Sequence, residues 1–177
     1  EDGDLVRDFT FPMKEHGELP PAFATDAPHS SIHISIRDAS LPPSDAHSAQ
    51  GAVEAAAAVG VQTYASSIIM CDLLVRCPSA WYKRLNEDLP VPFRVMELGA
   101  GTGIVGMVAA HVLSCIKAEK AVVHLTDYHE DVMTNLRHNV EHRLSLPNTC
   151  VHVECMPLDW RALYDIVWPC LFYTADA

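Results

Sequence analysis

The 177-residue sequence has no Cys-x-x-Cys pair, no surplus of positive charge and no uninterrupted apolar run of membrane-spanning length. Each absence removes a class of protein. The six cysteines (Cys71, Cys77, Cys115, Cys150, Cys155, Cys170) are scattered, which fits free, buried thiols in an intracellular protein better than a disulfide framework. Twelve Lys and Arg against 23 Asp and Glu leave a formal charge of −11. That balance argues against a nucleic-acid backbone or an anionic membrane as the main partner, and is compatible with a basic protein. The start, Glu1-Asp-Gly-Asp, is acidic and no apolar h-region follows, so no secretory leader is expected. The apolar stretch from Ala52 to Val75 carries Glu54, Gly60, Gln62 and Asp72 and reads as buried helix. The chain has no initiating Met, and a fragment or processed chain is expected.

What is present is enough for one domain. About half the residues are apolar, 49%, which at this length supports a real core. Residues 1–30, with Pro20-Pro21 and Pro28, read as an irregular lead-in. From Ser31 to Arg37 the pattern alternates, with Ile32, Ile34 and Ile36 on one face and His33, Ser35 and Arg37 on the other. That is a half-buried strand, an N-terminal β extension. Leu41 to His47 reads as a loop, and a helix is expected to begin in Ser48 to Ala58. Between Thr63 and Val75 the apolar positions Ile68, Ile69, Leu73 and Leu74 recur at helical spacing.

The most informative stretch is Val95 to Gly106, Val-Met-Glu-Leu-Gly-Ala-Gly-Thr-Gly-Ile-Val-Gly. An apolar strand (Phe93, Val95, Met96, Leu98) meets alternate glycines at Gly99, Gly101 and Gly103, and an apolar helix, Ile104 to Lys117, follows. Glycines there allow a tight turn and close approach of a ligand, and the helix opens with free N–H groups. Two registers compete. From Gly101, the residues Gly101-Thr-Gly103-Ile-Val-Gly106 satisfy the dinucleotide fingerprint GxGxxG. That register sets Gly99 and Ala100 inside the strand and buries Glu97 without a partner. From Glu97, the pattern Glu-x-Gly-x-Gly-x-Gly sets an acid at the strand's carboxyl end, where open α/β sheets bind ligands. A carboxylate there suits a cationic or hydroxyl-bearing ligand better than a pyrophosphate, and this register is preferred.

Downstream, Ala121 to Thr126 reads as a second buried strand ending on Asp127, after room for one helix and a turn. An acid at that strand end is placed to accept ribose hydroxyls, while Asp127-Tyr-His-Glu130 also forms a capping-box pattern. The next helix carries Met133, Leu136, Val140 and Leu144 as an amphipathic stripe, opened by Glu130 and Asp131 and closed by His142 and Arg143. Asn135 and Asn139 read as structural or solvated. Val151 to Cys155 alternates as a third strand, and Tyr164 to Val167 begins a fourth. His111 and Cys115, like His138 and His142, are spaced i, i+4, but two ligands do not make a metal site, and no metal is expected.

Glu97-Leu-Gly-Ala-Gly-Thr-Gly103 resembles motif I of the seven-strand, class I S-adenosylmethionine-dependent methyltransferases. With Leu125-Thr-Asp127-Tyr, Asn135-Leu-Arg-His-Asn139-Val and Leu158-Asp159-Trp160, it is similar to the branch containing protein-lysine methyltransferases, often labelled nicotinamide N-methyltransferase-like. The resemblance covers about Val61 to Asp165. It implies an α/β, Rossmann-like sandwich with a partial parallel sheet of order 3-2-1-4, filling residues 31–177 as a domain incomplete at its C-terminal end. Beyond Val167 the chain departs from the family, with Pro169 in place of a continuing strand and Ala175-Asp176 where a displaced Ala-Asp motif would stand.

The resemblance implies S-adenosyl-L-methionine as cofactor, held by Glu97, Gly99, Ala100, Gly101 and Gly103. It adds Asp127 on the ribose and Asp159 with Trp160 about the adenine. Tyr64 stands where the family usually has a tryptophan at the ligand mouth. The acceptor it implies is a lysine side chain of a protein substrate, with a monomeric enzyme in the cytoplasm and also the nucleus. No catalytic base is assigned. Two rivals stay open: a non-catalytic methyltransferase-like interaction module, and a nicotinamide-dinucleotide oxidoreductase in the Gly101 register.

Overall fold

A computed structural model describes residues 4–13, 31–40, 58–76, 93–115, 120–147 and 149–159. In chain order these form β1 (Leu5–Pro12), β2 (Ser31–Asp38), a 3₁₀ turn (Ala58–Val61), α1 (Ala65–Arg76), β3 (Phe93–Leu98), α2 (Ile104–Cys115), β4 (Ala121–Asp127), α3 (Glu130–Arg143) and β5 (Val151–Pro157). The expected helix over 48–58 lies outside the described residues, apart from Ala58 in the 3₁₀ turn. So do the expected fourth strand, Trp160 and the Ala175-Asp176 pair.

The parallel sheet has the order β3-β4-β5. Its registers run Phe93↔Ala121 to Leu98↔Thr126 and Ala121↔Val151 to Asp127↔Pro157. The three strands therefore finish nearly level at their carboxyl ends. Both connections between them are helices, α2 and α3, as parallel pairing requires. Val123 and Leu125 on one face of β4 are fully buried, while Val122 and His124 on the other are half-buried.

α2 is buried almost all round rather than along one stripe. Met107, Val108, Ala110 and Leu113 are inaccessible, and even Ser114 is 1% exposed. The helix packs against the sheet, β2 and α1 together. α3 carries the expected stripe through Met133 and Leu136, but Val132, Asn135 and Asn139 are buried beside it. Its second covered face turns toward β2 and the 3₁₀ turn.

Two expectations need correction. Leu5–Pro12, expected to be part of an irregular lead-in, is a strand paired antiparallel with β2 from Leu5↔Asp38 to Pro12↔Ser31. Its alternation is hidden because Leu5-Val6 and Arg7-Asp8 break the period. Phe11 is buried opposite Ile32, and Arg7 Nε lies 2.8 Å from the carboxylate of Asp38. The apolar run up to Val75 is also not one buried helix. It breaks at the 3₁₀ turn, and in α1 the inward face is Ile68, Cys71 and Val75, leaving Ile69 and Leu73 exposed. Among the described residues no helix is long and apolar enough to cross a membrane.

Candidate functional site

Three carboxylates gather along the carboxyl ends of the parallel strands. Glu97 is the penultimate residue of β3, Asp127 ends β4, and Asp159 lies two residues beyond β5. The strand ends are tied together. Leu158 N–H donates to the Asp127 carbonyl at 2.8 Å, Ala100 N–H to the Thr126 carbonyl at 2.8 Å, and the Thr126 hydroxyl to the Glu97 carbonyl at 2.7 Å. Asp159 is half-buried there.

Between β3 and α2 the backbone takes the left-handed region at Gly99 (φ 68°), Gly101 (φ 57°) and Gly103 (φ 85°), a conformation that side chains with a Cβ rarely adopt. The strand stops at Leu98, so Gly99 and Ala100 are not strand residues. The register that starts at Glu97 is the one the backbone follows. Ala100 is buried, and its carbonyl accepts Gly103 N–H at 2.8 Å to close the turn. Gly103 then begins the helical ladder by accepting Met107 N–H at 2.9 Å.

Space as well as torsion demands these glycines. A Cβ on Gly101 would stand 3.0 Å from the Gly60 carbonyl oxygen, and one on Gly103 would collide with Leu136. Gly106, whose φ is ordinary, would drive a Cβ into Leu125 and to 2.7 Å from Glu97 Oε2. The glycines therefore shape a loop pressed between the 3₁₀ turn, α3 and β4, and ligand space is not the sole reason for them.

Glu97 reaches into the first turn of α2, where Oε2 accepts Gly106 N–H at 2.9 Å. That N–H is among the four that a helix start leaves without an intrahelical partner. Burial pushes the Glu97 carboxyl up to about 7; the Gly106 bond pulls it back in part, and the neighbouring Asp127 adds to the rise. Burial also pushes the adjacent Cys71 thiol up to about 12, and the Glu97 charge adds to this. Cys71 is an inert core thiol here, fully buried.

Asp127 supports the loop from the other side. Its Oδ2 accepts Gly101 N–H at 3.1 Å, while Oδ1 accepts Tyr128 N–H at 2.8 Å and His129 N–H at 3.4 Å. The capping-box alternative is not what forms. The N-cap is His129, without a side-chain cap bond, and α3 starts at Glu130, leaving Asp127 too early in the chain to cap it.

Tyr64 stands at the start of α1, half exposed, with its hydroxyl donating to the Val59 carbonyl at 3.3 Å. Its neighbour Thr63 touches the glycine loop directly, Oγ1 to Thr102 Oγ1, at 3.2 Å. Trp160 lies outside the described residues. Among the described residues, no three His, Cys, Asp or Glu side chains gather as metal ligands would.

Sequence reasoning did not find the bracket behind the loop. Asn139 and Asn135, expected to be structural or solvated, are structural, 0% and 2% exposed. Asn139 Oδ1 accepts Arg37 N–H at 2.8 Å, and its Nδ2 donates to the carbonyls of Arg37 at 3.1 Å and Thr102 at 3.0 Å. Asn135 Nδ2 donates to the carbonyls of Arg37 at 3.1 Å and Val61 at 3.3 Å. Asp38, 3% exposed, accepts both the N–H and the hydroxyl of Thr63, at 2.9 and 2.6 Å. The available signal was the i, i+4 repeat of two amides flanking the helix's apolar stripe.

Comparison with known proteins agrees with this geometry. Residues 49–169 match a family described as lysine methyltransferase. Over 83 residues the protein is also 34% identical to an uncharacterized protein of Dictyostelium discoideum, a match that takes in 47% of this chain and 19% of that one. The chain thus spans about a fifth of the length of the curated relative it matches. The family match runs over more than half of the residues, including the 3₁₀ turn, the glycine loop and all three parallel strands. The chain belongs to the lysine methyltransferase family, on a Rossmann-like α/β fold.

Proposed function

We propose that the protein binds S-adenosyl-L-methionine across the carboxyl ends of β3, β4 and β5 and transfers its methyl group to a lysine amine of a protein substrate. The observation that carries this reading is the carboxylate of Glu97 on Gly106 N–H. A pyrophosphate would claim the N–H groups of that helix start, and here the protein's own carboxyl oxygen already uses one. The site is lined by Glu97, Asp127 and Asp159, which would repel a phosphate and suit a ligand that brings a cation and hydroxyls. This favours the methyltransferase reading over a dinucleotide enzyme, in line with family membership.

The residues present fit the cofactor. Asp127 would accept a ribose hydroxyl at Oδ2, which keeps acceptor capacity beyond the Gly101 bond, whereas Oδ1 already takes the N–H groups of Tyr128 and His129. The glycine loop would let the ligand lie against the main chain, and Glu97 would face its positive charge. Asp159 and Trp160 would frame the adenine, with Tyr64 at the mouth. When bound, the cofactor supplies an electrophilic methyl group on a sulfonium. What this chain contributes is position and a partly desolvated setting in which the cation loses its charge. The lysine amine must arrive without its proton, and none of the described side chains is assigned as its base.

A protein acceptor accords with the acidic charge of −11 and with the family. We place the enzyme in the cytoplasm and nucleus, where thiols such as Cys71, Cys115 and Cys155 would stay reduced.

Titration calorimetry tests the reading. S-adenosylmethionine and its demethylated product should bind, and a nicotinamide dinucleotide should not; the reverse result overturns the proposal. Asp127→Ala should weaken the cofactor about tenfold or more per folded molecule. Unchanged affinity in that folded variant would confine Asp127 to shaping the loop. Cofactor binding with no methyl transfer to any protein in an extract would leave a holding module.

A further inference from the structure

The N-terminal strand pair carries a feature that the family's sequence motifs do not touch. Asp38 ends β2 with its carboxylate buried, yet it makes no contact with the strand-end acids. One oxygen, Oδ1, accepts the N–H of Thr63 at 2.9 Å and its hydroxyl at 2.6 Å; the other faces Arg7 Nε of β1 at 2.8 Å. The Thr63 hydroxyl also lies 3.2 Å from that of Thr102, the residue between Gly101 and Gly103. With its proton committed to the carboxylate, Thr63 Oγ1 can only accept from Thr102, which fixes the direction of the whole chain. Charge on Asp38 thus sets the orientation of a hydroxyl inside the glycine loop, three residues along.

We propose that Asp38 is a positioning residue for cofactor binding, acting through Thr63 to fix Thr102 in the glycine loop and to set Tyr64 at the mouth. The proposal rests on the cofactor reading above. A burial argument supports it. A carboxylate 3% exposed is costly to keep unless it is paired and hydrogen-bonded. Any movement of Thr63 or Arg7 would strip it of a partner. Thr63 is therefore held tightly, and Tyr64 and the first turn of α1, where Ser67 N–H donates to the Tyr64 carbonyl at 3.1 Å, follow it. The loop is clamped at the same residue from the opposite side, since the Thr102 carbonyl accepts Asn139 Nδ2 at 3.0 Å. Thr102 is the point where β2, the residue Thr63 ahead of α1, and α3 meet in one hydrogen-bonded chain. A loop so held presents its main chain to a ligand without reorganising, and that preorganisation should appear as affinity.

The experiment compares Thr63→Val with Thr63→Ser in the full chain, reading both melting temperature and affinity for S-adenosylmethionine by calorimetry well below the melting range. Valine keeps the shape and removes the hydroxyl; serine keeps the hydroxyl. Thr63→Val should bind about tenfold more weakly per folded molecule, with Thr63→Ser restoring binding to within about twofold. Asp38→Asn should resemble Thr63→Val wherever it folds, because the added amide donor opposes the Thr63 donors. A Thr63→Val protein that melts lower yet binds as tightly as the parent would reduce the chain to a structural tie and overturn the proposal. If the parent itself binds neither S-adenosylmethionine nor its demethylated product, the cofactor reading has failed instead.

Discussion

From Gly99 to Gly106 the chain holds its shape by leaving side chains out, whereas the bracket around it holds by burying polar side chains. The loop uses three positive φ angles and four positions at which a Cβ would strain the backbone or strike a neighbour. The bracket uses Asp38, Asn135 and Asn139, each nearly inaccessible and each bonded to a main-chain group of another segment, with Asp38 also taking the Thr63 hydroxyl. The difference teaches how a ligand loop can be both thin and fixed. A glycine turn alone is permissive, and loses more freedom on folding than any other sequence would. The amides and the carboxylate restrict it from outside, leaving its inner edge bare.

The comparison breaks first at Gly103. Alanine there would combine a left-handed φ of 85° with a collision at Leu136, costing about 3 kcal/mol or more. A denaturant midpoint lowered with unchanged slope is the expected result. A near-neutral Gly103→Ala would mean the loop relaxes easily and needs no bracket.

Asn139→Ala tests the other side. It strands Arg37 N–H and removes one donor each from the Arg37 and Thr102 carbonyls, for an expected loss of about 2 kcal/mol. A change within the range of a neutral surface substitution, about 0.5 kcal/mol, would show that water replaces the amide and that the bracket is not what fixes the loop.

Glu97 sharpens the comparison with a smaller effect. Its carboxyl is raised from 4.5 to about 7 in the folded chain, so between those values the folded state holds a proton that the unfolded state has released. Stability from this group is therefore greatest at the acid end and declines as pH rises from about 4.5 through about 7. The decline should be about 1 kcal/mol once screening at a half-buried site is allowed for, and Glu97→Gln should flatten it. Urea titrations of both proteins at pH 5 and 8, without cofactor, measure it. Equal slopes would mean that Glu97 is ionised throughout.

The loop was legible in the sequence and the bracket was not, for a physical reason. Strand, glycines and helix are consecutive, so alternation, glycine spacing and helical period all report on one local event. Glu97, Gly99, Gly101, Gly103 and Asp127 could be placed before any coordinates. Asp38, Asn135 and Asn139 act across long separations, and a polar residue bonded to a distant main chain looks like one bonded to water. β2 was readable from its isoleucines, but β1 takes its pairing from β2 and from the Arg7–Asp38 contact, which no local pattern reveals. In α1 four apolar residues share helical spacing, but Ile69 and Leu73 stay exposed, because period alone does not say which side faces the core.

The bond from Arg37 to Asn139 joins residues 102 positions apart, and that distance has a consequence in time. A ribosome adding ~5–20 residues per second needs roughly 5–20 s to supply that much chain. For that interval β2 has been made while α3 is incomplete, and its other packing partner α2 (Ile104–Cys115) arrives only late in it, so Ile32, Ile34 and Ile36 lack the surface that later covers them. Closing so wide a loop is slow compared with forming a helix. The nascent chain therefore carries an uncovered β ribbon for a time, and the ligand loop becomes rigid only once α3 has been made.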